Sequence, residues 1–259
     1  MRNYLIQYIV IIGLSISSIF SQAVSKTGTS AGQFLKIGVG SRAIGLGGAF
    51  TAIADDASSL YWNPSGIANN KALSVFVDHY DWILDIEMDY IGFIIPLGNA
   101  GNLGISTNYL HMGEMDVTST KNPEGTGEKF SAASYLGQIS YARNLTERFS
   151  LGSSIKLIKE SIWNSAATGI AIDIGTLYES TFPGLKLGMS ISNYGSKMKM
   201  DGRDLLVQTD LDPSLESDPE NLNSNLMTDE FDLPIIFRFG MSFSKRLKNG
   251  FGTIVAIDA

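Results

Sequence analysis

From Leu73 onward, apolar and polar positions alternate with a period of two. In 149–157, Phe149, Leu151, Ile155 and Leu157 share one parity, while Ser150, Gly152, Ser154 and Lys156 share the other. The pattern recurs at 170–178 (Ile170, Ile172 and Ile174 against Ala171, Asp173 and Gly175), at 185–191 (Leu187, Met189 and Ile191 against Lys186, Gly188 and Ser190) and at 235–243 (Phe237, Phe239 and Met241 against Arg238, Gly240 and Ser242). Side chains alternate across a strand, so each segment has one apolar face and one polar or small face. The pattern predicts strands at 72–81, 85–97, 102–112, 132–143, 148–160, 167–178, 184–194, 233–244 and 250–258.

Alternation alone fits a soluble sandwich as well as a barrel. Strand length and loop asymmetry separate the two. Most of these segments reach about ten residues, whereas strands of soluble domains centre on about five or six. Short connections at 98–101, 144–147, 179–183 and 245–249 oppose longer ones at 113–131, 161–166 and 195–232, with the 82–84 link as the exception. Short turns on one side and long loops on the other characterise outer-membrane barrels, whose short turns face the periplasm. Tyr80, Trp82, Tyr90, Tyr109, Tyr135, Tyr141, Trp163, Tyr178 and Tyr194 fall near strand ends, where amphipathic rings sit at headgroup level. The expected fold is therefore all-β, a transmembrane antiparallel outer-membrane β-barrel. Nine strands is an odd number, and an unpaired edge is not tolerated in lipid, so the expectation is a chain truncated at its C-terminal end.

The first 71 residues read differently. Residues 1–23 combine Arg2, an apolar run through Ile9, Val10, Ile11, Ile12 and Leu14, and the small Ser21 and Ala23, which is the tripartite pattern of a signal peptide cleaved before Val24. Residues 24–71 are rich in Gly, Ala and Ser and suit short helices and loops; 72–259 carry the barrel strands. Past residue 23 no stretch approaches the roughly 18 apolar residues of a membrane helix.

Charge and composition narrow the chemistry. A net charge of −7 argues against a nucleic-acid partner, which needs a basic face to neutralise phosphates. The absence of cysteine removes disulfides, thiolate nucleophiles and a lipoprotein anchor, and only His79 and His111 supply imidazole. The acidity is local: 195–232 holds ten acidic against three basic residues, the whole of the net charge. Its run Asp210, Asp212, Glu216, Asp218 and Glu220 lacks the order and central Gly of an EF-hand, so it is taken as a solvated partner-binding loop without a metal. Gly38-Val39-Gly40 and Gly45-Leu46-Gly47-Gly48 miss the register of a dinucleotide loop, and these glycines are expected to let backbone pack closely. Asp55, Asp56, Asp81, Asp85, Glu87 and Asp89 are taken as solvated loop charge, and no G-x-S-x-G occurs. No catalytic residue, metal or cofactor is expected, and the chain is not expected to be an enzyme.

The stretch Ala31–Ala52, AGQFLKIGVGSRAIGLGGAFTA, followed by Ala54–Ala68, ADDASSLYWNPSGIA, resembles the opening of PorV/PorQ family proteins. Its later part, D-A-S-x-L-Y-x-N-P-x-G, is shared more widely with FadL-like transporters. Where such families carry Asn-Pro-Ala, this chain has Asn63-Pro64-Ser65. The resemblance implies a FadL-like barrel of about 14 strands, of which this chain would hold about nine. It also implies a plug inside it, carried by Gly45, Gly47, Gly48, Asp55, Asp56, Asn63, Pro64, Ser65 and Gly66. It further implies the outer membrane of a Gram-negative, Bacteroidota-like cell, with membrane lipid and proteins of the type IX secretion system, cargo or surface-attachment components, as partners. The alternative it carries is FadL-like passage of hydrophobic small molecules. The small or charged inward positions, among them Ser154, Lys156, Ala171, Asp173, Lys186, Ser190 and Arg238, disfavour a greasy conduit.

Overall fold

The computed structural model describes residues 30–209, 222–246 and 252–259. The expected signal peptide at 1–23 and the five acids Asp210, Asp212, Glu216, Asp218 and Glu220 lie outside these residues. Nine long strands form one antiparallel sheet: β1 Ser74–Asp81, β2 Ile86–Pro96, β3 Asn102–Met112, β4 Ala132–Thr146, β5 Phe149–Ile162, β6 Ser165–Glu179, β7 Leu185–Gly195, β8 Ile236–Arg246 and β9 Gly252–Asp258. Each pairs with the next along the chain, so the order is a meander from β1 to β9. These bounds fall within about three residues of those that alternation predicts, and β3 coincides with its expectation. The chain is thus mostly antiparallel sheet with a few short helices, and among the described residues no helix is long and apolar enough to cross a membrane.

The two faces of the sheet are inverted relative to a soluble domain. On β5, Ser150, Gly152, Ser154 and Lys156 are buried while Leu151, Ile155 and Leu157 are exposed. On β6, Ala171, Asp173 and Gly175 are buried while Ile170, Ile172 and Ile174 are exposed; Ile139, Phe93, Ile191 and Phe237 continue the exposed apolar parity on other strands. The concave face is covered by the segment 31–70, which holds the short helices α1 Ser41–Gly45 and α2 Ser59–Trp62 and the 3-10 helices Gln33–Lys36 and Pro64–Asn69. Phe76 and Tyr80 of β1 and Ala256 of β9, from the two ends of the strand order, pack on one cluster of this segment built on Val39, Phe50, Tyr61 and Trp62. The sheet therefore curls around the segment. Among the described residues, β1 and β9 do not pair with each other.

Three expectations are corrected. The 161–166 connection is not long: β5 and β6 are joined by Trp163-Asn164 alone, a tight turn with Trp163 at φ +49°, fixed where Asp204 accepts from the Asn164 backbone N–H at 3.0 Å. Tyr90 and Tyr80 are not rim aromatics, because their parity points inward; Tyr90 is fully buried, whereas Trp82, Tyr135, Tyr141, Trp163, Tyr178 and Tyr194 are exposed. The described parts of 195–232 are not a free loop. Met198 and Leu233 are buried against Phe34 and Leu35, and Met198–Lys199 pairs with Glu230–Phe231, so the ends of this connection fold over the segment 31–70.

Candidate functional site

A densely bonded part of the molecule is the seat of the segment 31–70 on the sheet, centred on Asn63-Pro64. Pro64 opens the 3-10 helix, where its fixed φ and missing N–H carry no penalty. Asn63 caps that helix. Its amide oxygen accepts from the Ser65 N–H at 3.2 Å and the Ser65 hydroxyl at 2.7 Å, and its amide nitrogen donates to the carbonyls of Thr51 at 2.8 Å and of Thr176 on β6 at 3.0 Å. A primary amide has two donors and two acceptor sites, so this buried side chain is fully satisfied.

The wall beneath is shaped by glycines. Gly152 on β5 and Gly175 on β6 face each other in register. A Cβ on Gly175 would lie 2.1 Å from the Asn63 amide oxygen, and one on Gly152 would lie 2.5 Å from the Ser65 backbone nitrogen. A second facing pair, Gly188 on β7 and Gly240 on β8, lies under Thr51 and Ala52, with a Cβ on Gly188 only 2.3 Å from the Thr51 carbonyl oxygen. Removing the side chains makes the dents in which the backbone of the segment rests.

Around the dents, inward polar side chains grip that backbone. Gln138 on β4 donates to the Leu60 carbonyl at 2.7 Å, Asn102 on β3 to the Asn70 carbonyl at 2.8 Å and Ser190 on β7 to the Trp62 carbonyl at 3.1 Å. Asp78 on β1 accepts from the Gly40 N–H at 2.7 Å, Asp258 on β9 from that of Thr51 at 2.9 Å and Glu160 on β5 from that of Gly32 at 3.1 Å. Short helices leave backbone groups without partners, and the wall supplies them. Arg238 on β8 lies over the rings of Tyr61 and Trp62, 5.6 and 5.2 Å from their centroids.

One ion pair is enclosed completely. Lys156 Nζ lies 2.7 Å from Asp173 and donates to the Asn193 amide oxygen at 2.8 Å, while Asp173 also accepts from the Asn193 N–H at 2.8 Å. Both charges are buried, and Asn193 holds φ +63° beside the register shift at Ile172/Ile174. The pair ties β5, β6 and β7 where the ladder is irregular.

The other sequence candidates divide. Ser65 and Gly66 join Asn63 and Pro64 at the corner, and a Cβ on Gly66 would lie 2.2 Å from the Ala54 carbonyl oxygen. Gly45 and Gly47, by contrast, have nothing within 4 Å of such an atom, so close packing is not their use; Gly47 and Gly48 hold φ +68° and +81°, which a turn after α1 requires. Asp55 and Asp56 are partly exposed but are not merely solvated. Both pair with Arg42, Asp56 at 3.1 Å, and the Asp55 hydrogen bond raises the guanidinium pKa; Asp56 also accepts from the Ser58 N–H at 2.9 Å. Asp89 meets His79 at 2.8 Å and His111 at 3.4 Å on the outer face near the long-connection end, and His111 lies 3.6 Å from Glu87. Among the described residues no group of three or more such side chains has metal-holding geometry. A cleft of about 990 Å³ runs beside the outer edge of β1, lined by Lys36, Ile37, Ile44, Asp78, His79 and Trp82 among others.

Sequence reasoning missed the gripping residues Asn102, Gln138 and Asp258 and the glycine pairs. Their signal was present as small or polar residues on the inward parity, but their partners lie far away in sequence.

A family model described as "Uncharacterised protein family (UPF0164)" matches residues 14–209. Two similar proteins, each described as "UPF0164 protein" from Treponema pallidum (strain Nichols), share 23% identity over 207 residues, 74% of this chain and 63% of the relative, and 26% over 171 residues, 62% of this chain and 43% of the relative. The matched chain thus spans less than two thirds of the length of either relative.

Proposed function

We propose, for a chain that belongs to the UPF0164 family, a non-enzymatic role as an outer-membrane β-barrel protein whose interior is filled by its own N-terminal segment and whose long-connection end binds protein partners. The observation that carries this reading is the outward face of the sheet: its Ile, Leu and Phe are exposed, while Gly, Ser, Gln, Lys and Asp are buried on the other parity beside Met88, Ile94, Leu136, Ile158 and Leu177. Water would penalise so large an apolar face, and hydrocarbon would accept it. Because lipid tolerates no unpaired strand edge, the sheet is read as wall of a closed barrel, about 14 strands on the FadL-like resemblance.

Binding rather than passage is favoured by the seat. The concave face is occupied by backbone held from strands β1, β3, β4, β5, β7 and β9. The PorV/PorQ resemblance of 31–68 supports a role in handling secreted or surface-attached proteins. Uptake of hydrophobic small molecules has the cleft beside β1 in its favour, but Lys36, Asp78 and His79 in its lining count against an apolar ligand.

Cell fractionation tests the reading. The protein should sediment with the outer membrane and resist alkaline extraction; recovery in the soluble periplasm would overturn it. Ile155→Arg, in the middle of the exposed apolar parity of β5, should weaken folding in lipid or detergent by about 2–4 kcal/mol. An unchanged denaturation midpoint would place this face outside the hydrocarbon. If the acidic connection docks a basic partner, deleting 210–221 should slow association with a co-purifying protein at low ionic strength, and the difference should shrink as salt rises.

A further inference from the structure

The two ends of the sheet carry opposite charge. On the strands and turns of the short-turn end lie Lys71, Arg143 on β4, Arg148 between β4 and β5, Lys186 on β7 and Lys245 on β8, against Glu147 and Glu179, while Asp55 and Asp56 of the segment 31–70 near this end are paired with Arg42. Lys186 is used by Glu179 at 2.7 Å, whereas Arg143, Arg148 and Lys245 are exposed and form no ion pair among the described residues. The opposite end is acidic on balance, with Asp81, Asp85, Glu87, Asp89, Glu114, Asp116, Glu124, Glu128, Asp201 and Asp204 outnumbering Lys121, Lys129, Lys159, Lys197, Lys199 and Arg203.

The position of the cations matters more than their number. Arg143 follows Ile139 and Tyr141 on the outward parity of β4, and Lys245 follows Phe239 and Met241 on that of β8. They are therefore continuous with the exposed apolar face at its short-turn end, where Leu145 beyond Arg143 is exposed too. At the same level Tyr141, Tyr178 and Phe182 are exposed, with Phe182 lying 6.0 Å from Phe243. Apolar wall, then aromatic rings, then long-stemmed cations is the order of chemistry met on passing from acyl chains to phosphates.

We propose that this rim is a binding surface for anionic phospholipid headgroups, with Arg143, Arg148 and Lys245 as its phosphate-facing charges. This rests on the membrane reading above. Guanidinium groups suit phosphate through paired N–H donors, and each cation near an anionic headgroup surface strengthens retention by roughly fivefold at low salt. The acidic opposite end has the wrong sign for the same lipid, so the surface also orients the protein.

The test uses the full chain, purified in detergent and exposed to equal amounts of phosphatidylglycerol and phosphatidylcholine, with retained lipids counted by native mass spectrometry. The expected result is a several-fold preference for phosphatidylglycerol that weakens as ionic strength rises. It should fall towards none in Arg143→Gln/Arg148→Gln/Lys245→Gln and persist in Arg143→Lys/Arg148→Lys, with strand content unchanged in both. Equal retention of the two lipids by the parent chain would overturn the proposal while leaving the membrane reading standing. So would loss of preference on adding inorganic phosphate but not chloride at matched ionic strength, which would mark a simple anion site. Failure to retain either lipid would overturn both.

Discussion

Lys156→Met should destabilise the folded protein by about 3–5 kcal/mol, because it leaves the Asp173 carboxylate enclosed without its cation. The carboxylate cannot turn to water: both side chains are buried, and Asp173 is held by the Asn193 N–H at 2.8 Å. The charge itself is what costs. Lys156→Met with Asp173→Asn should therefore recover most of the loss, since the asparagine oxygen still accepts from Asn193 and no buried charge remains. The measurement is the denaturant midpoint of protein folded in detergent. A Lys156→Met midpoint within about 1 kcal/mol of the parent, or a double variant no better than the single one, would mean that the pair is solvated or replaceable.

Gly175→Val should be at least as damaging, and its readout differs. The new Cβ would sit 2.1 Å from the Asn63 amide oxygen, so either the strand or the Asn63-Pro64 corner has to move. Overpacking costs roughly 1–3 kcal/mol, and breaking the hydrogen bonds of a buried amide adds about 1–3 kcal/mol for each group left without a partner. The corner is the weaker element, because it belongs to short helices while Gly175 is held in ladders on both sides. The expected outcome is a sheet that still forms around a loosened segment 31–70, seen as new protease cleavage there. Planar-bilayer conductance should rise, as it should for Asn63→Ala with Pro64→Ala. Gly137→Val is the control, since Gly137 faces outward with nothing within 4 Å of an added Cβ. Unchanged conductance and protease resistance in Gly175→Val would show that the corner does not hold the segment.

Much of the wall is legible along the chain. Period-two alternation is a local property of extended backbone, so the positions of β1 to β9 and the parity of Ser154, Lys156, Asp173 and Ser190 follow from residues a few places apart. The failures have local causes too. A Trp-Asn turn with positive φ carries none of the usual glycine signal, which is why the link between β5 and β6 reads as a loop. Charge counted over 195–232 cannot reveal that Met198 and Leu233 anchor its ends.

By itself the sequence determined the strands, their alternation and the unlike character of the first 71 residues, because each rests on neighbours in the chain. Alternation alone could not say which parity faces inward, since a period of two is unchanged when the faces are exchanged; strand length and loop asymmetry, through the barrel reading, made the small and polar parity the inward one. The tertiary structure bears that assignment out, by burying the Gly and polar parity beneath the segment 31–70. It alone also decided the purpose of those small residues. Asn63 meets the Thr176 carbonyl across 113 positions, and Gln138 meets that of Leu60 across 78. At such separations no local spacing specifies the partner, and only the curl of the sheet brings donor and acceptor to hydrogen-bonding distance.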